Sequence, residues 1–384
     1  MLRFLTAGES HGKALVAIIE GLPAGLKLDI EKINLLLKRR QGGYGRGKRM
    51  SLEEDRVEIF SGLRGSVTLG TPLTLVIYNR DWQNWQEVMA PDAEALLTER
   101  VVTRPRPGHA DLAGGLKYRQ DDLRNILERA SARETAVRVA VGAVAEQLLS
   151  FFGIEVQGQV VAIGDVQAKR EEKIIDSKLL YENPVYCPDQ EASLLMVKAI
   201  EEAKKRGDSL GGVIQVIAEG VPVGLGSHVH WDRRLDGQLA QALMSIPSSK
   251  GVEIGSGFAA ATLFGSQLHD EITYQQGEGF GHRTNHAGGI EGGITNGETV
   301  VVRAAMKPIP TLAQPLASVD WQTKEAITAA VERADVCAVP AAAVVAEAIT
   351  AWVLASVMME KFGGDHLEET LSNFENYLQY LQTK

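Results

Sequence analysis

The sequence predicts an α+β protein built from two similar halves. Residues 8–26 and 207–225 are identical at nine of nineteen positions at one constant offset, and these include every glycine and proline of GESHG and EGLPAGL. A second echo pairs VEIFSG at 57–62 with VEIGSG at 252–257. Both halves combine runs typical of antiparallel strand pairs with helical runs, which is the pattern of an α+β fold.

The elements follow the same order in each half. ALVAIIEGLPAGLKLDI at 14–30 predicts a strand, a Gly-Pro-Gly turn and a second strand. INLLLKRR at 33–40 and LDGQLAQALMSI at 235–246 predict the helices that follow. A weaker echo relates 64–78 to 292–306, each of which is a turn followed by an alternating run.

Each half ends in a long Ala/Val-rich stretch that predicts helix, at 122–152 and at 324–362. No linker rich in proline, serine or charge separates the halves. We therefore expect one domain over residues 1–384, with pseudo-repeats at approximately 1–155 and 200–365.

Composition narrows the class of protein. The chain has 384 residues, 45% of them hydrophobic, and a formal net charge of -9. It can bury a substantial core, and its acidity argues against nucleic acid as the main partner. Two distant cysteines, Cys187 and Cys337, form no disulfide framework or Cys-x-x-Cys metal site, and MLRFLTAGESHG is not a signal peptide. We expect a cytoplasmic protein.

One apolar run, 336–359, is long enough to be mistaken for a membrane span. Glu347 lies near its middle, where a charge in lipid costs about 2.5–3.5 kcal/mol on insertion scales. Pro340 suits the first turn of a helix in a water-soluble protein. We predict a helix buried in the core or in a subunit interface, and no membrane partner.

The GESHG stretch at 8–12 matches the G-x-S-x-G nucleophile elbow of α/β-hydrolases. The second copy keeps the frame, including Ser209, but has Leu210 where the first has His11. An elbow also needs a sheet core before it, which so few residues cannot supply. We interpret the frame as a turn that both halves need, and His11 as the feature specific to the first copy.

Two other motifs are weak. GSGFAA at 255–260 fits a dinucleotide-binding pattern but lies in the VEIGSG echo rather than in a βαβ unit. HVH and HRTNH place His228, His230, His282 and His286 at spacings that zinc sites use, but no HExxH pattern accompanies them. We predict no metal.

Three basic segments are the candidates for chemistry. KRRQGGYGRGKR at 38–49 predicts a mobile loop that closes on a small anion, with Arg40 and Arg46 as the main contacts. Its alternative is a solvated loop or an RGG-like nucleic-acid tail. TRPRPGHAD holds Arg106 and His109 between prolines, as expected for a catalytic acid beside an anion. Its alternative is an ordinary surface loop.

The third basic segment, LERASARETAVR, places Arg129 and Arg133 four residues apart with Ser131 between them. On one helix face near the helix start, they would bind phosphate. The alternative is that both arginines form salt bridges with Glu128 and Glu134.

Before the apolar run, ERADVC brings Arg333 and Asp335 together as possible ligand contacts, unless Asp335 is only a helix cap. Taken together, these four segments predict a site with many arginines, two histidines and no obvious nucleophile. Such a site suits a multiply anionic substrate with a leaving phosphate, for which histidine supplies protons and arginine stabilises charge.

The motifs, taken together and in order, resemble those of the chorismate synthase family over essentially the whole chain. The matching motifs are GESHG at 8–12, RRQGGYGR at 39–46, RPGHAD at 106–111, RASARET at 129–135, SKGVEIGSGF at 249–258, GGITNG at 292–297 and KPIPT at 307–311.

The resemblance implies an activity and an assembly. The family converts 5-enolpyruvylshikimate 3-phosphate to chorismate and phosphate by a trans 1,4-elimination, the last common step of aromatic amino acid biosynthesis in the shikimate pathway. The reaction is that of a carbon–oxygen lyase and needs reduced FMN, with NADPH as a flavin reductant in some members. The family fold is a β-α-β sandwich with an internal duplication, assembled as a homotetramer.

The resemblance also implies residue roles. His109 would protonate the leaving phosphate, His11 would protonate the flavin, and Asp335 would help the flavin N5 to take the C6 proton. Ser10 and Ser131 would orient these groups.

Further positions match binding residues of the family. The FMN-contacting positions correspond to Arg129, Ala130, Ser131, Pro247, Ser248, Gly292, Lys307, Pro308, Ile309, Pro310, Thr311 and Arg333. The positions expected to contact substrate or NADPH are Arg40, Arg46, Arg49, Arg106 and Arg133. Charge alone does not separate NADPH from substrate at Arg40 and Arg46.

Overall fold

Two antiparallel sheets form most of the β structure, in a computed structural model that describes residues 1–47, 53–277, 279–332 and 335–384. The first sheet has the strand order β1 (Arg3–Ala7), β2 (Ala14–Glu20), β6 (Leu73–Tyr78) and β3 (Glu58–Ser61). The second has the order β10 (Ser249–Ile254), β15 (Val300–Met306), β9 (Gly212–Glu219), β7 (Glu155–Ile163) and β8 (Val166–Gln167).

Four small ribbons accompany the sheets. They are β4 (Leu63–Arg64) with β5 (Val67–Thr68), β11 (Ile272–Gln275) with β12 (Gly279–His282), β13 (Ile290–Glu291) with β14 (Ile294–Thr295), and β16 (Ala317–Val319) with β17 (Ala326–Thr328).

The helices lie between these strands in the chain. They are α1 (Ile30–Gln41), α2 (Asp111–Tyr118), α3 (Arg124–Ala130), α4 (Thr135–Ser150), α5 (Ser177–Glu182), α6 (Gln190–Lys205), α7 (Leu235–Met244), α8 (Gly265–Leu268), α9 (Val339–Phe362) and α10 (Leu367–Gln382). Short 3₁₀ turns occupy Arg80–Asn84, Ala132–Glu134, Trp231–Arg233 and Gly257–Thr262. The antiparallel sheets and separate helices confirm the predicted α+β class.

Local sequence explains where the predicted α1 and α7 begin. The Asp29 side chain caps α1 by accepting a hydrogen bond from the Glu31 backbone N–H, and Ile33, Leu36 and Leu37 form its buried stripe. In α7, the buried leucines Leu235, Leu239 and Leu243 recur every four residues along one face.

The long helices α4 and α9 pack against each other and connect the two sheets. α4 contacts β1, β2 and β6, whereas α9 contacts β7 and β9. Within the described chain, α9 is the one helix long and apolar enough to cross a membrane, and 94% of its most apolar window is buried inside the protein. The prediction of a buried helix at 336–359 is therefore confirmed from Val339, where α9 begins, onward.

The sequence prediction is wrong for the segment after β2. Gly21 and Gly25 adopt positive φ angles in the predicted turn, but the residues after it form only an isolated antiparallel bridge, Lys27 with Val67, and no longer strand. Leu26 and Leu28 are nevertheless buried, and the segment joins residues near Thr68 through single hydrogen bonds. The alternating pattern therefore reports burial, and strand pairing is limited to this one bridge.

The two long helical predictions are also wrong in extent. Residues 122–152 form α3 and α4, separated at Ser131, whose backbone is extended and whose hydroxyl accepts the Arg133 N–H. In 324–362 the helix begins only at Val339. Lys324 has a positive φ angle, and β17 follows it in an extended conformation.

Candidate active site

A cavity of about 970 Å³ brings most of the predicted site residues together. This is near the upper end of the usual range for ligand pockets, about 300–1,000 Å³. Its walls come from the turn before β2, the end of α1, α3, the loop before α2, the segment after β15 and the start of α9. The predicted residues that line it are Ser10, His11, Arg40, Arg46, Arg106, His109, Ala130, Ser131, Arg133, Pro247, Ser248, Lys307, Ile309, Pro310, Thr311 and Asp335.

Some predicted residues lie elsewhere. Within the described chain, Arg129, Gly292 and Pro308 do not line this cavity. The exposed Arg129 side chain donates hydrogen bonds to the carbonyl oxygens of Gly8 and Thr6, at 3.0 and 3.2 Å. The predicted residues Arg49 and Arg333 lie outside the described residues.

The predicted shared face of Arg129 and Arg133 is wrong, because the helix is interrupted at Ser131. The alternative, in which both arginines pair with Glu128 and Glu134, is also wrong. Arg133 is buried against Asp55 and Asn79 instead.

His11 is held by a buried carboxylate and an aromatic ring. Its Nδ1 lies 2.8 Å from Glu128 Oε1, and its backbone N–H donates to Glu128 Oε2 at 2.7 Å. The Trp85 ring stacks on the imidazole at a centroid distance of 3.9 Å. Burial would raise the pKa of Glu128, but the hydrogen bonds and charge of His11, with Arg124, lower it overall.

His109 has a similar arrangement within its own loop. Its Nδ1 lies 2.6 Å from Oδ1 of Asp111, the first residue of α2. Arg106 donates to the same carboxylate through its backbone N–H, Nε and Nη2. These bonds and charges outweigh the effect of burial and hold the pKa of Asp111 well below its usual range. The structure places Arg106 beside His109 at the cavity, as predicted, and the catalytic role of the loop stays a prediction.

Arg40 and Arg133 share one buried carboxylate. Asp55 Oδ2 accepts from Arg40 Nη2 at 2.8 Å, and Oδ1 accepts from Arg133. Burial would raise the pKa of Asp55, but the two guanidinium groups lower it. Burial in turn lowers the pKa of Arg40. The carboxylate fixes both arginines at the cavity wall before any ligand arrives.

Asp335 belongs to the cavity and not to a helix cap. Arg46 and the Gly47 backbone N–H both donate to its carboxylate, the latter at 2.6 Å. The residue at the N-cap of α9 is Ala338, so the capping alternative is wrong. The last described residues of the basic segment thus join the start of α9, and residues 48 and 49 of that segment lie outside the described residues.

The two copies of the repeated turn meet the same cavity. Ser10 Oγ lies 3.1 Å from Ser131 Oγ, and Ser209 Oγ donates to the Ile309 carbonyl oxygen at 2.7 Å. Both His11 and its counterpart Leu210 line the cavity. In each copy, therefore, the serine contacts another segment of the wall.

The Lys307–Thr311 segment, in the second half of the chain, forms another part of the cavity wall. Lys307 Nζ donates to the Gly108 carbonyl oxygen, and its backbone N–H donates to Ser248 at 2.9 Å. Burial, assisted by the charge of Lys250, lowers the pKa of Lys307. Thr311 Oγ1 accepts from Arg106 Nη1 at 3.0 Å and so connects this segment to the His109 loop.

Several contributors were not predicted. Glu128 and Asp55 had no assigned function in the sequence, although Glu128 and Arg124 are spaced i, i+4. Asp111 stands two residues after His109, in a motif whose roles were given to Arg106 and His109. The segment that carries Trp85 and Arg100 gave no signal, since its role depends on the fold.

The described cavity wall is cationic. It contains seven arginine and lysine side chains and three carboxyl side chains. Within the described residues no group of three His, Cys, Asp or Glu side chains is placed to hold a metal ion. Fixed guanidinium groups bind carboxylate and phosphate, and two histidines are positioned for proton transfer. A cavity with fixed guanidinium groups and two histidines is typical of an enzyme that acts on a small anion.

Comparisons with known proteins agree with this class. The family model described as chorismate synthase matches residues 2–359. The chorismate synthase of Moorella thermoacetica is 64% identical over 382 residues, and that of Desulforamulus reducens is 58% identical over 385 residues. Each comparison covers 100% of both chains.

A solved structure extends the agreement to three dimensions. A structure titled "Crystal Structure of Chorismate Synthase" superposes with a TM-score of 0.81 at 46% identity and covers 100% of this chain and 99% of that one. This chain belongs to the chorismate synthase family. It is a lyase of the shikimate pathway, in aromatic amino acid biosynthesis.

Proposed function

We propose that the described cavity is the site where this chain eliminates phosphate from 5-enolpyruvylshikimate 3-phosphate, with reduced FMN bound in the same cavity. One observation carries the proposal. His11 and His109 line one cavity, each in contact with a buried carboxylate, beside arginines that are already fixed in place. The substrate bears two carboxylates and a phosphate, which matches the cationic wall.

The chain's own groups account for the protons. His109 holds the proton for the leaving phosphate oxygen, and Arg106 stabilises the charge on that group. His11, on another part of the wall, holds the proton that the flavin would receive. Asp335, held in place by Arg46 and the Gly47 backbone N–H, assists removal of the C6 proton. Ser10 and Ser131 orient these groups through their mutual hydrogen bond.

The wall also fits a flavin. Part of the wall is apolar and suits the planar flavin ring; it is formed by Leu210, Ile246, Met306, Ile309 and the start of α9. The basic side chains of the wall suit the phosphate of FMN. We propose Ala130, Ser131, Pro247, Ser248 and the Lys307–Thr311 segment as FMN contacts. Reduced FMN, when bound, supplies electron density to the allylic carbon–oxygen bond as phosphate leaves.

We assign Arg40 and Arg46 to the substrate. Both line the cavity that contains the two histidines, and Arg40 is fixed by Asp55. In this assignment Arg40 and Arg46 do not form a binding site for NADPH, which would reduce the flavin without contacting them. The proposal therefore predicts that Arg40→Lys raises the KM for the substrate, because lysine cannot reproduce a guanidinium fork.

We also propose the family's architecture and assembly for this chain. Each sheet contains a matching order of four strands, β1-β2-β6-β3 and β7-β9-β15-β10, and α4 and α9 follow equivalent strands. This order supports one domain with an internal duplication arranged as a β-α-β sandwich. The outer face of the first sheet exposes Leu5 and Ile18 as directly paired residues, which supports a homotetramer. Two free, buried cysteines are in keeping with a cytoplasmic location.

The test is phosphate release without oxygen and with photochemically reduced FMN. We expect release that requires both protein and reduced flavin, with an equal amount of chorismate. Oxidised FMN alone should give none, and oxidised FMN with NADPH tests whether the protein reduces its own flavin. Folded protein that releases no phosphate under reduced conditions would overturn the proposal.

A further inference from the structure

Two histidines of the cavity share one arrangement of partners. The first triad is His11, Glu128 and Arg124, and the second triad is His109, Asp111 and Arg106. We propose that Glu128 and Asp111 are positioning residues, each of which fixes its histidine so that Nε2 is the nitrogen that exchanges a proton with bound ligands. This inference rests on the proposed function for its role in turnover, and on geometry alone for its effect on the histidines.

In the first triad, the carboxylate contacts both partners at once. Glu128 is 2% exposed, and its Oε1 lies 2.8 Å from His11 Nδ1 and 3.2 Å from Arg124 Nη1. Its Oε2 accepts the His11 backbone N–H. Since Trp85 covers one face of the imidazole, the ring is restrained in both orientation and position.

The second triad uses different elements to reach a similar geometry, with one difference: Arg106 Nη2 also lies 3.1 Å from His109 Nδ1. Asp111 is 0% exposed, and its Oδ1 lies 2.6 Å from His109 Nδ1 and 3.1 Å from Arg106 Nη2. Oδ2 accepts from Arg106 Nε at 2.8 Å. The first carboxylate comes from α3 and the second from the start of α2. Two different helices therefore supply the same kind of partner to a histidine.

The carboxylates decide which ring nitrogen carries the fixed hydrogen. An ionised carboxylate only accepts hydrogen bonds, so each histidine must present Nδ1–H to it. Nε2 is then left to gain or lose a proton, which is the division of labour that a proton-transferring histidine needs. Because both Glu128 and Asp111 have lowered pKa values, they stay ionised at neutral pH.

The arginines complete each triad by preventing the carboxylate from taking the proton itself. Arg124 and Arg106 donate to the same carboxylates as the histidines. A guanidinium beside a carboxylate favours its ionised form. The proton therefore remains on the imidazole, where a ligand in the cavity can receive it.

The test uses charge-removing variants of nearly equal size, Glu128→Gln and Asp111→Asn. Diethyl pyrocarbonate acylates the unprotonated imidazole nitrogen, and peptide mapping by mass spectrometry reports His11 and His109 separately as a function of pH. In Glu128→Gln the midpoint for His11 should move to lower pH while His109 stays unchanged. Asp111→Asn should give the converse, so each sample contains its own control.

Turnover gives the second measurement. We expect each variant to lose about 10²-fold or more in kcat, within the range of general acid–base effects. Glu128→Asp, which keeps the charge, should recover part of the loss. Glu134→Gln is the matched control, because Glu134 pairs with Arg138 outside the cavity and should leave both measurements unchanged.

The outcomes separate the two claims. Unmoved acylation midpoints in both charge-removing variants would overturn the triads even if wild-type protein makes chorismate. If the variants shift their acylation midpoints but the wild-type protein makes no chorismate, the triads stand and the proposed function is overturned. A variant that fails to fold is replaced by its partner variant in the other triad and by Glu128→Asp, whose midpoint should stay near that of the wild type.

Discussion

Buried carboxylates fix the basic residues of the cavity one by one. Asp55 is 3% exposed and lies between Arg40 and Arg133, which are themselves buried. Two guanidinium groups so close together would repel each other without it. A site for an anion is thereby assembled before the anion binds. The Asp55 carboxylate also offsets part of the free-energy cost of burying the two guanidinium groups.

Asp55→Asn tests this role. We expect the free energy of unfolding at pH 7 to fall by about 3 kcal/mol or more, because breaking a buried ion pair leaves uncompensated charge. Since the folded pKa is lowered, the stabilisation by Asp55 is present above the unfolded value of about 4 and is lost as pH falls below it. The difference between variant and wild type should therefore shrink in acid.

Denaturant titrations at pH 7 and at about pH 3, below the unfolded pKa of aspartate, measure that difference. The exposed Asp92→Asn is the control, and it should change stability by less than about 0.5 kcal/mol. Equal stability of Asp55→Asn and wild-type protein at pH 7 would show that Asp55 is not needed to hold the arginines.

Close contact between helices α4 and α9 sets the geometry of the molecule's centre. A Cβ on Gly142 of α4 would lie 2.3 Å from the Cβ of Ala348 on α9. No side chain fits there without moving one helix. Because the cavity includes the start of α9, a shift of this helix also moves part of the site wall.

We expect Gly142→Ala to lower the free energy of unfolding by about 1–3 kcal/mol, the usual cost of overpacking. Gly237→Ala in α7 is the matched control. Its added Cβ would meet its nearest atom at 3.9 Å, so the better helix propensity of alanine should raise stability by about 0.5–1 kcal/mol. Thermal and urea unfolding measure both variants, and a neutral Gly142→Ala would contradict the close packing.

The same helix carries a buried acid. Glu347 accepts hydrogen bonds from Tyr181 and from the Gly158 backbone N–H, and the charge of Arg39 also acts on it. Burial raises the pKa of Glu347 to about 7, and these hydrogen bonds and Arg39 only partly oppose it. Ionising this group costs more in the folded chain than in the unfolded chain.

Glu347→Gln should therefore become more stable relative to wild type as pH rises. Between the unfolded pKa of about 4.3 and the folded value, the native state binds more protons, so wild-type stability falls with rising pH. We expect the stability difference to grow by a few kcal/mol from pH 5 to pH 8, at about 1.4 kcal/mol per pKa unit. Urea titrations across this range measure it.

Glu360→Gln, on the exposed part of α9, is the control for that series. Glu360 pairs with Arg233 at the surface, where ion pairs contribute about 0–1 kcal/mol. Its difference from wild type should not change with pH. A flat profile for Glu347→Gln would mean that Glu347 is ionised in the folded protein at no added cost.

At the scale of the whole molecule, the outer face of the first sheet is unusually apolar. Leu5 and Ile18 are 72% and 44% exposed and lie opposite each other on β1 and β2. Phe60, on β3 of the same sheet, is 60% exposed. Large apolar side chains exposed on one sheet face are typical of protein–protein contacts.

If this face is a subunit contact of the proposed homotetramer, Ile18→Glu should weaken that assembly. We expect sedimentation velocity to give a smaller species than wild type at equal concentration, with unchanged far-ultraviolet circular dichroism. Leu194→Glu, at an exposed site on α6, is the control and should sediment as wild type does. If Ile18→Glu sediments like wild type, this face is not a subunit interface.

The sequence was sufficient for much of the molecule and insufficient where distant segments meet. Periodicity identified α1, α7 and the core helix, and the repeated turn isolated His11 because its counterpart is Leu210. Proline and glycine around His109 predicted its rigid loop. These signals are local, so a single segment contains them.

The missing parts depend on contacts between segments. Glu128 became a neighbour of His11 only when α3 packed beside the turn before β2, and Asp55 met Arg133 only in the folded chain. Gly142 also gave no signal, because its need for a small side chain comes from Ala348. No pattern along the chain contains these distances.

The central claim is that one cavity holds two proton-transferring histidines for phosphate elimination. It is tested most directly by measuring chorismate formation under anaerobic conditions with reduced FMN for wild type, His11→Asn and His109→Asn. We predict folded variants whose kcat falls by about 10²–10⁴-fold each, the general acid–base range. A variant with near wild-type kcat would contradict the role given to its histidine, and two such variants would contradict the claim as a whole.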